Sequence, residues 1–113
     1  MSDASPEKTV RIRELNDQLR CKAIGGRIVI TPGIQALGAD DLRVVLLAVA
    51  RFDEFSEDND PWGEHDCAIL TVAERRVLFK VDYFDRDLAC HSPDASDPAV
   101  TERVLTVMLA EEY

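Results

Sequence analysis

The feature that most constrains this chain is a pair of alternating segments, residues 65–72 and 77–85, on either side of Ala73, Glu74, Arg75 and Arg76. Alternation with period two is the mark of a half-buried strand, and two such runs around a short polar turn predict a hairpin. Pairing Val72 with Val77 sets Leu70 opposite Phe79, Ala68 opposite Val81 and Asp66 opposite Tyr83 on one face. The other face then carries Thr71 with Leu78, Ile69 with Lys80, Cys67 with Asp82 and His65 with Phe84. The first set is nearly all apolar, and a slip of one residue would mix the two. A hairpin with one apolar face needs a cover, which the rest of the chain must supply.

Ser5, Pro6 and Glu7 read as N-cap, first helical residue and first-turn acid of a helix running to about Cys21, with a partial apolar stripe at Val10, Ile12, Leu15 and Leu19. Gly25 and Gly26 end it, and residues 27–31 form a short β-branched strand stopped by Pro32 and Gly33. A second helix, capped near Asp40, buries Leu42, Val45, Leu46, Val49 and Phe52, while Val44 and Leu47 predict burial on more than one side. After a polar loop, Asp97 and Pro98 open a final helix with Val100, Val104, Val107 and Met108 on one side and Leu105 and Leu109 beside them. The expected class is α+β: a small antiparallel or mixed three-stranded sheet with three or four helices. At 113 residues, 46% of them hydrophobic, this is one domain over 1–113, with residues 1–5 disordered and acidic loops at 53–64 and 86–97.

The charge is concentrated. Asp53, Glu54, Glu57, Asp58, Asp60, Glu64 and Asp66 follow one another with no lysine or arginine between them, in a chain of formal net charge -9. Residues 1–52 carry a net +2 and residues 53–113 a net -11. Such a surface repels nucleic acid and anionic membrane, so the partners expected are cationic proteins. Asp58, Asn59 and Asp60 with Gly63 imitate the start of a calcium loop. The fifth position is Trp62 and the twelfth is Ile69, which excludes an EF-hand. Phe52, Phe55 and Trp62 are placed to anchor the loop or touch a partner. By the register above, the start of the hairpin also brings the 53–66 run beside the acids that follow Phe84.

A second reading uses Glu64, His65, Asp66 and Asp82 at the mouth of the hairpin as a metal or acid–base site, with Cys67 on the face of His65 and Asp82. Holding a strand end is the plainer role for His65. Neither Cys67 nor Cys90 has an oxyanion hole or orienting group in the sequence pattern. Three cysteines without C-x-x-C spacing suggest free thiols in the cytoplasm. No signal peptide and no membrane span are expected, the longest apolar run being residues 44–50.

Arg13 to Asp17, Gly25 to Arg27, Asn59 to Asp66, Lys80 to Asp85 and the run from Arg103 to Tyr113 resemble a family of small proteins from alphaproteobacteria and their plasmids and phages, a domain of unknown function. The resemblance covers nearly the whole chain from about Arg11 and departs from it at Cys67, where an aromatic residue is expected. It implies no activity, cofactor or metal, and no catalytic residue. The charge pattern is similar to that of DNA-mimic anti-CRISPR and antirestriction proteins. That similarity implies an inhibitor occupying the basic DNA- or PAM-binding groove of a defence complex, without direct contact to nucleic acid, as a monomer or homodimer. Asp53, Glu54, Glu57, Asp58, Asp60 and Glu64 would make the contact, Asp85 and Asp87 would extend it, and Trp62 would anchor it. An alternative is a dimeric module using the apolar carboxy-terminal helix.

Overall fold

A computed structural model describes residues 5–113. The expectation of disorder over residues 1–4 lies outside the described residues. Ser5 is in place as the N-cap, its hydroxyl accepting from Lys8 N at 3.2 Å. In chain order the elements are α1 (Pro6–Lys22), β1 (Arg27–Ile30), α2 (Pro32–Gln35), α3 (Ala39–Arg51), β2 (Cys67–Val72), β3 (Arg75–Phe84), β4 (Glu102–Leu109) and a 3-10 turn, Ala110–Glu112. The four strands form one mixed sheet in the order β1-β4-β3-β2, parallel between β1 and β4 and antiparallel elsewhere. The α+β class holds, with a fourth strand added.

The helices cover one face of this sheet. Ala68, Val72, Val77, Phe79, Val81, Leu105 and Val107 alternate onto that face and pack with Leu19 of α1, Ile34 of α2 and Val45 and Val49 of α3. The opposite face is the more open one: Val29, Cys67, Ile69 and Thr71 are exposed on it, although Leu78 and Met108 are buried there. No helix of the described residues is long and apolar enough to cross a membrane.

The hairpin has the expected faces in a register moved by two residues. Ala68 pairs with Phe79 and Leu70 with Val77, closed by a two-residue turn at Ala73 and Glu74. Both turn residues have positive φ, 51° and 68°, the geometry of a type I′ turn, which Asn-Gly or Asp-Gly normally signals. Ala-Glu hides that signal. A slip of two leaves every side chain on its own face, so the core is as expected.

The last helix is not a helix. Residues 102–109 are β4, an inner strand flanked by β1 and β3. An inner strand has neighbours on both sides, so Val104, Leu105, Val107 and Met108 read as a continuous apolar run, which periodicity alone does not separate from a buried helix. Asp97 caps only a turn, accepting from Ala99 N at 2.9 Å. The carboxy-terminal helix proposed for dimerisation is therefore absent, its residues spent inside the sheet. Val44 and Leu47 are also corrected: they are 48% and 45% exposed, because α3 turns Val45 and Val49 to the core and buries one side only.

Candidate functional site

The acidic segment joins α3 to β2 as a loop with two sides. Its inner side is built from Phe52, Phe55, Asp60, Glu64 and His65. Phe52 and Phe55 meet edge to face at 4.9 Å and both reach Phe79 of the core. The His65 ring stacks on Phe55 at 3.8 Å and places Nδ1 2.9 Å from the Asp17 carboxylate on α1. Asp60 is buried, and its carboxylate accepts the His65 amide at 3.2 Å. This amide sits at a backbone position of positive φ, 54°, which the bond helps to hold. Asn59 ties the outer limb, bonding Ser56 N and Glu54 O, and Asp60 N closes on Ser56 O at 2.8 Å.

Below the loop lies a buried polar network. Asn16, fully buried on α1, donates to the Glu64 carbonyl at 3.0 Å and to the Tyr83 hydroxyl at 2.8 Å. It accepts from Arg103 Nε at 2.7 Å. Tyr83 in turn donates to the Glu64 carboxylate at 2.8 Å. Burial pushes the Tyr83 phenol far above its ordinary range, so it remains a donor. Arg103 is 1% exposed, stands over the Tyr83 ring and donates to Ala95 O. Burial lowers its pKa, opposed by Tyr83 and Glu64. Arg13 adds a bond to Gly63 O at 3.1 Å. Arg20 donates to Val49 O, Ala50 O and Phe52 O, closing the end of α3 where the loop begins. These contacts join α1, β3 and β4 to the loop and fix its path.

The outer side is different. Asp53, Glu54, Glu57 and Asp58 are exposed, and among the described residues no cation lies within 4.0 Å of any of them. Trp62 is 71% exposed on the same loop. Asp60 and Glu64, expected among the contact carboxylates, are only 7% exposed each and serve the fold instead. A carboxylate buried behind its own loop has no reach to a partner.

Nor do the two acidic segments merge. Asp53 and Glu54 line a cleft with Leu70, Thr71 and Arg76, toward the turn of the hairpin. Asp85 and Asp87 follow the far end of β3, roughly 25 Å away at a strand rise of about 3.3 Å per residue. Hydrogen bonds, first from the Ala89 amide, hold Asp85 below the usual carboxylate range. The segments meet only at Asp66, whose pKa is raised by burial and then by Glu64, Asp60 and Asp82. Asp82 is paired with Lys80 at 2.8 Å. His65, Cys67 and Asp82 do not converge either. His65 turns toward α1, while Cys67 and Asp82 sit on the open face of the sheet, because His65 precedes β2 and leaves its alternation. Among the described residues no group of three His, Cys, Asp or Glu side chains is arranged to hold a metal ion.

Asn16, Asp17, Tyr83 and Arg103 carry the inner side, yet none stood out as a site residue in the sequence. A signal was present: Asn16 falls on the stripe of Ile12, Leu15 and Leu19, and Arg103 alternates with Leu105 and Val107. A polar residue on an apolar stripe has to find buried partners.

No curated protein and no solved structure is significantly similar to the chain. A family model described as a protein of unknown function, DUF3768, matches residues 30–112, which include the whole loop, strands β2, β3 and β4 and the 3-10 turn. The chain thus belongs to the DUF3768 family of proteins of unknown function.

Proposed function

We propose that this is a binding protein, not a catalyst, and that the outer side of the 53–66 loop engages a basic surface. The observation that carries the reading is the division of labour within the loop. Asp53, Glu54, Glu57 and Asp58 face solvent without counter-ions among the described residues, on a frame set by Asn59, Asp60 and His65. A preorganised loop loses little conformational freedom on binding, and uncompensated carboxylates speed encounter with a cationic partner. Trp62, an exposed indole on the same loop, is the type of side chain that anchors interfaces.

The partner class follows from the charge. Duplex DNA presents one negative charge per about 1.7 Å of axis, and the proteins that handle it carry grooves of lysine and arginine. Close carboxylates on a rigid loop suit such a groove. The setting we propose is inhibition of a nucleic-acid-binding defence complex in the cytoplasm, in the manner of a DNA-mimic anti-CRISPR protein encoded on a mobile element. Relative to the sequence expectation the contact set is smaller: Asp53, Glu54, Glu57, Asp58 and Trp62, without Asp60, Glu64, Asp85 or Asp87.

The test is affinity capture of the tagged protein from lysate of a host with active defence systems, beside a variant carrying Asp53→Asn, Glu54→Gln, Glu57→Gln and Asp58→Asn. The expected result is a DNA-binding complex held by the native protein, released by salt and lost in the folded variant. Equal capture by both proteins would end the mimic reading.

A further inference from the structure

The sheet has two edges, and only one is guarded. Edge strands invite pairing with another chain, and proteins blunt them with charge, proline or brevity. β1 is four residues long, starts at Arg27, whose guanidinium pairs with Glu102, and is followed by Pro32. β2 runs for six residues, Cys67-Ala-Ile-Leu-Thr-Val72, with no charge and no proline. Its hydrogen-bonding pattern follows from the two-residue turn. Val72 with Arg75 is a hydrogen-bonded pair, so Leu70 and Ala68 continue the ladder to β3. Cys67, Ile69 and Thr71 then point their amides and carbonyls outward, and among the described residues no other backbone group meets them. Ile69 is also 49% exposed.

A cleft beside this edge is lined by Arg51, Asp53, Glu54 and Arg76 together with Ile69 and Thr71. None of the four charged groups pairs with another side chain among the described residues. Their charges sum to zero in a molecule of net charge -9. The cleft itself carries no excess charge of either sign. A second copy of the chain can approach at this place without the repulsion that separates two such molecules elsewhere, and its own cleft offers the matching signs.

We infer that β2 is a homodimer edge: two copies join antiparallel along β2 into one continuous eight-stranded sheet. The register that pairs all three outward residues centres on Ile69, with Cys67 opposite Thr71 of the second copy. This goes beyond the binding role of the loop. Glu57 and Asp58 do not line the cleft, so Glu57→Gln with Asp58→Asn tests the loop without touching the edge.

The test is sedimentation equilibrium of the full chain from about 1 to 100 µM at 0.15 M salt, where long-range repulsion is screened within about 8 Å. A monomer–dimer equilibrium is expected, with its dissociation constant raised at least tenfold by Ile69→Lys, which sets two like charges face to face. Hydrogen-bonded cross-strand pairs have Cα atoms about 5.5 Å apart, within disulfide range. With the other exposed thiols removed by Cys21→Ser and Cys90→Ser, Thr71→Cys is therefore expected to give a covalent dimer on mild oxidation, and Thr71→Cys with Cys67→Ser is not. A wild-type chain that stays monomeric to 100 µM overturns the inference, including the case in which a strand of another protein fills the edge. So does an unchanged constant in folded Ile69→Lys, or a crosslink that survives Cys67→Ser.

Discussion

Replacing Asn16 by alanine should remove the keystone of the loop's support. Asn16 is 0% exposed and makes three bonds: to the Glu64 carbonyl, the Tyr83 hydroxyl and Arg103 Nε. Arg103 is the costliest group to strand, because an unpaired buried donor on a charged side chain loses about 2 kcal/mol. The two oxygen acceptors lose about 1 kcal/mol each. Together the substitution should cost about 4 kcal/mol, a large share of a domain stability of about 5–15 kcal/mol. For a chain of this size that corresponds to a fall in Tm of roughly 15 °C. Urea unfolding followed by circular dichroism reads the effect as a lower midpoint with an unchanged slope. Glu57→Gln, on the outer side, should stay within about 0.5 kcal/mol and serves as the comparison. A loss below about 1 kcal/mol for Asn16→Ala would refute the reasoning, since it would mean that the three partners find water when Asn16 is gone.

Arg20→Met keeps the packing against Phe55 and Phe79 but frees three carbonyls at the end of α3. It should cost about 2 kcal/mol in the same urea assay. Gly26→Ala would place a Cβ 2.5 Å from the Arg103 carbonyl and 2.9 Å from Leu19 Cδ2, and a loss of about 2 kcal/mol is expected from that overpacking. Asp66 and the exposed acids should answer to pH with opposite signs. Burial raises the pKa of Asp66, so its contribution is favourable below its unfolded pKa and is lost as pH rises through the raised folded value. Asp66→Asn should therefore gain stability over wild type at pH 7 and not at pH 3. Hydrogen bonds lower Asp85, Asp94 and Glu112, whose contributions are present above their unfolded values and lost as pH falls through the folded ones. Urea midpoints at the two pH values check both signs.

How far the sequence led depended on whether a signal was local. The first helix, the short strand after Gly26, the helix near Asp40 and the two faces of the hairpin all rest on caps and alternation that neighbouring residues define, and they hold. The register and β4 failed for nonlocal reasons. Ala73 and Glu74 adopt positive φ with no glycine to announce it, and β4 is a strand only because β1 and β3 flank it. The candidate loop was visible as a run of acids, but its two sides were not. Asp60 and Glu64 differ from Asp58 and Glu57 only in what stands behind them: the His65 amide for one and Tyr83 for the other. Tyr83 reaches Glu64 from across 19 positions and Arg103 reaches Asn16 across 87, separations that no pattern within a window records.

Amide hydrogen exchange across residues 53–66 is the most direct measurement of whether this loop is a fixed frame for its outward carboxylates. The amides of Asp60, Gly63 and His65 bond within the loop, to Ser56 O, Asp60 O and the Asp60 carboxylate. Each should exchange at least about a hundredfold more slowly than in a free peptide, an opening free energy of roughly 2.7 kcal/mol. Exchange of all three within about threefold of the free-peptide rate would contradict a preformed binding loop.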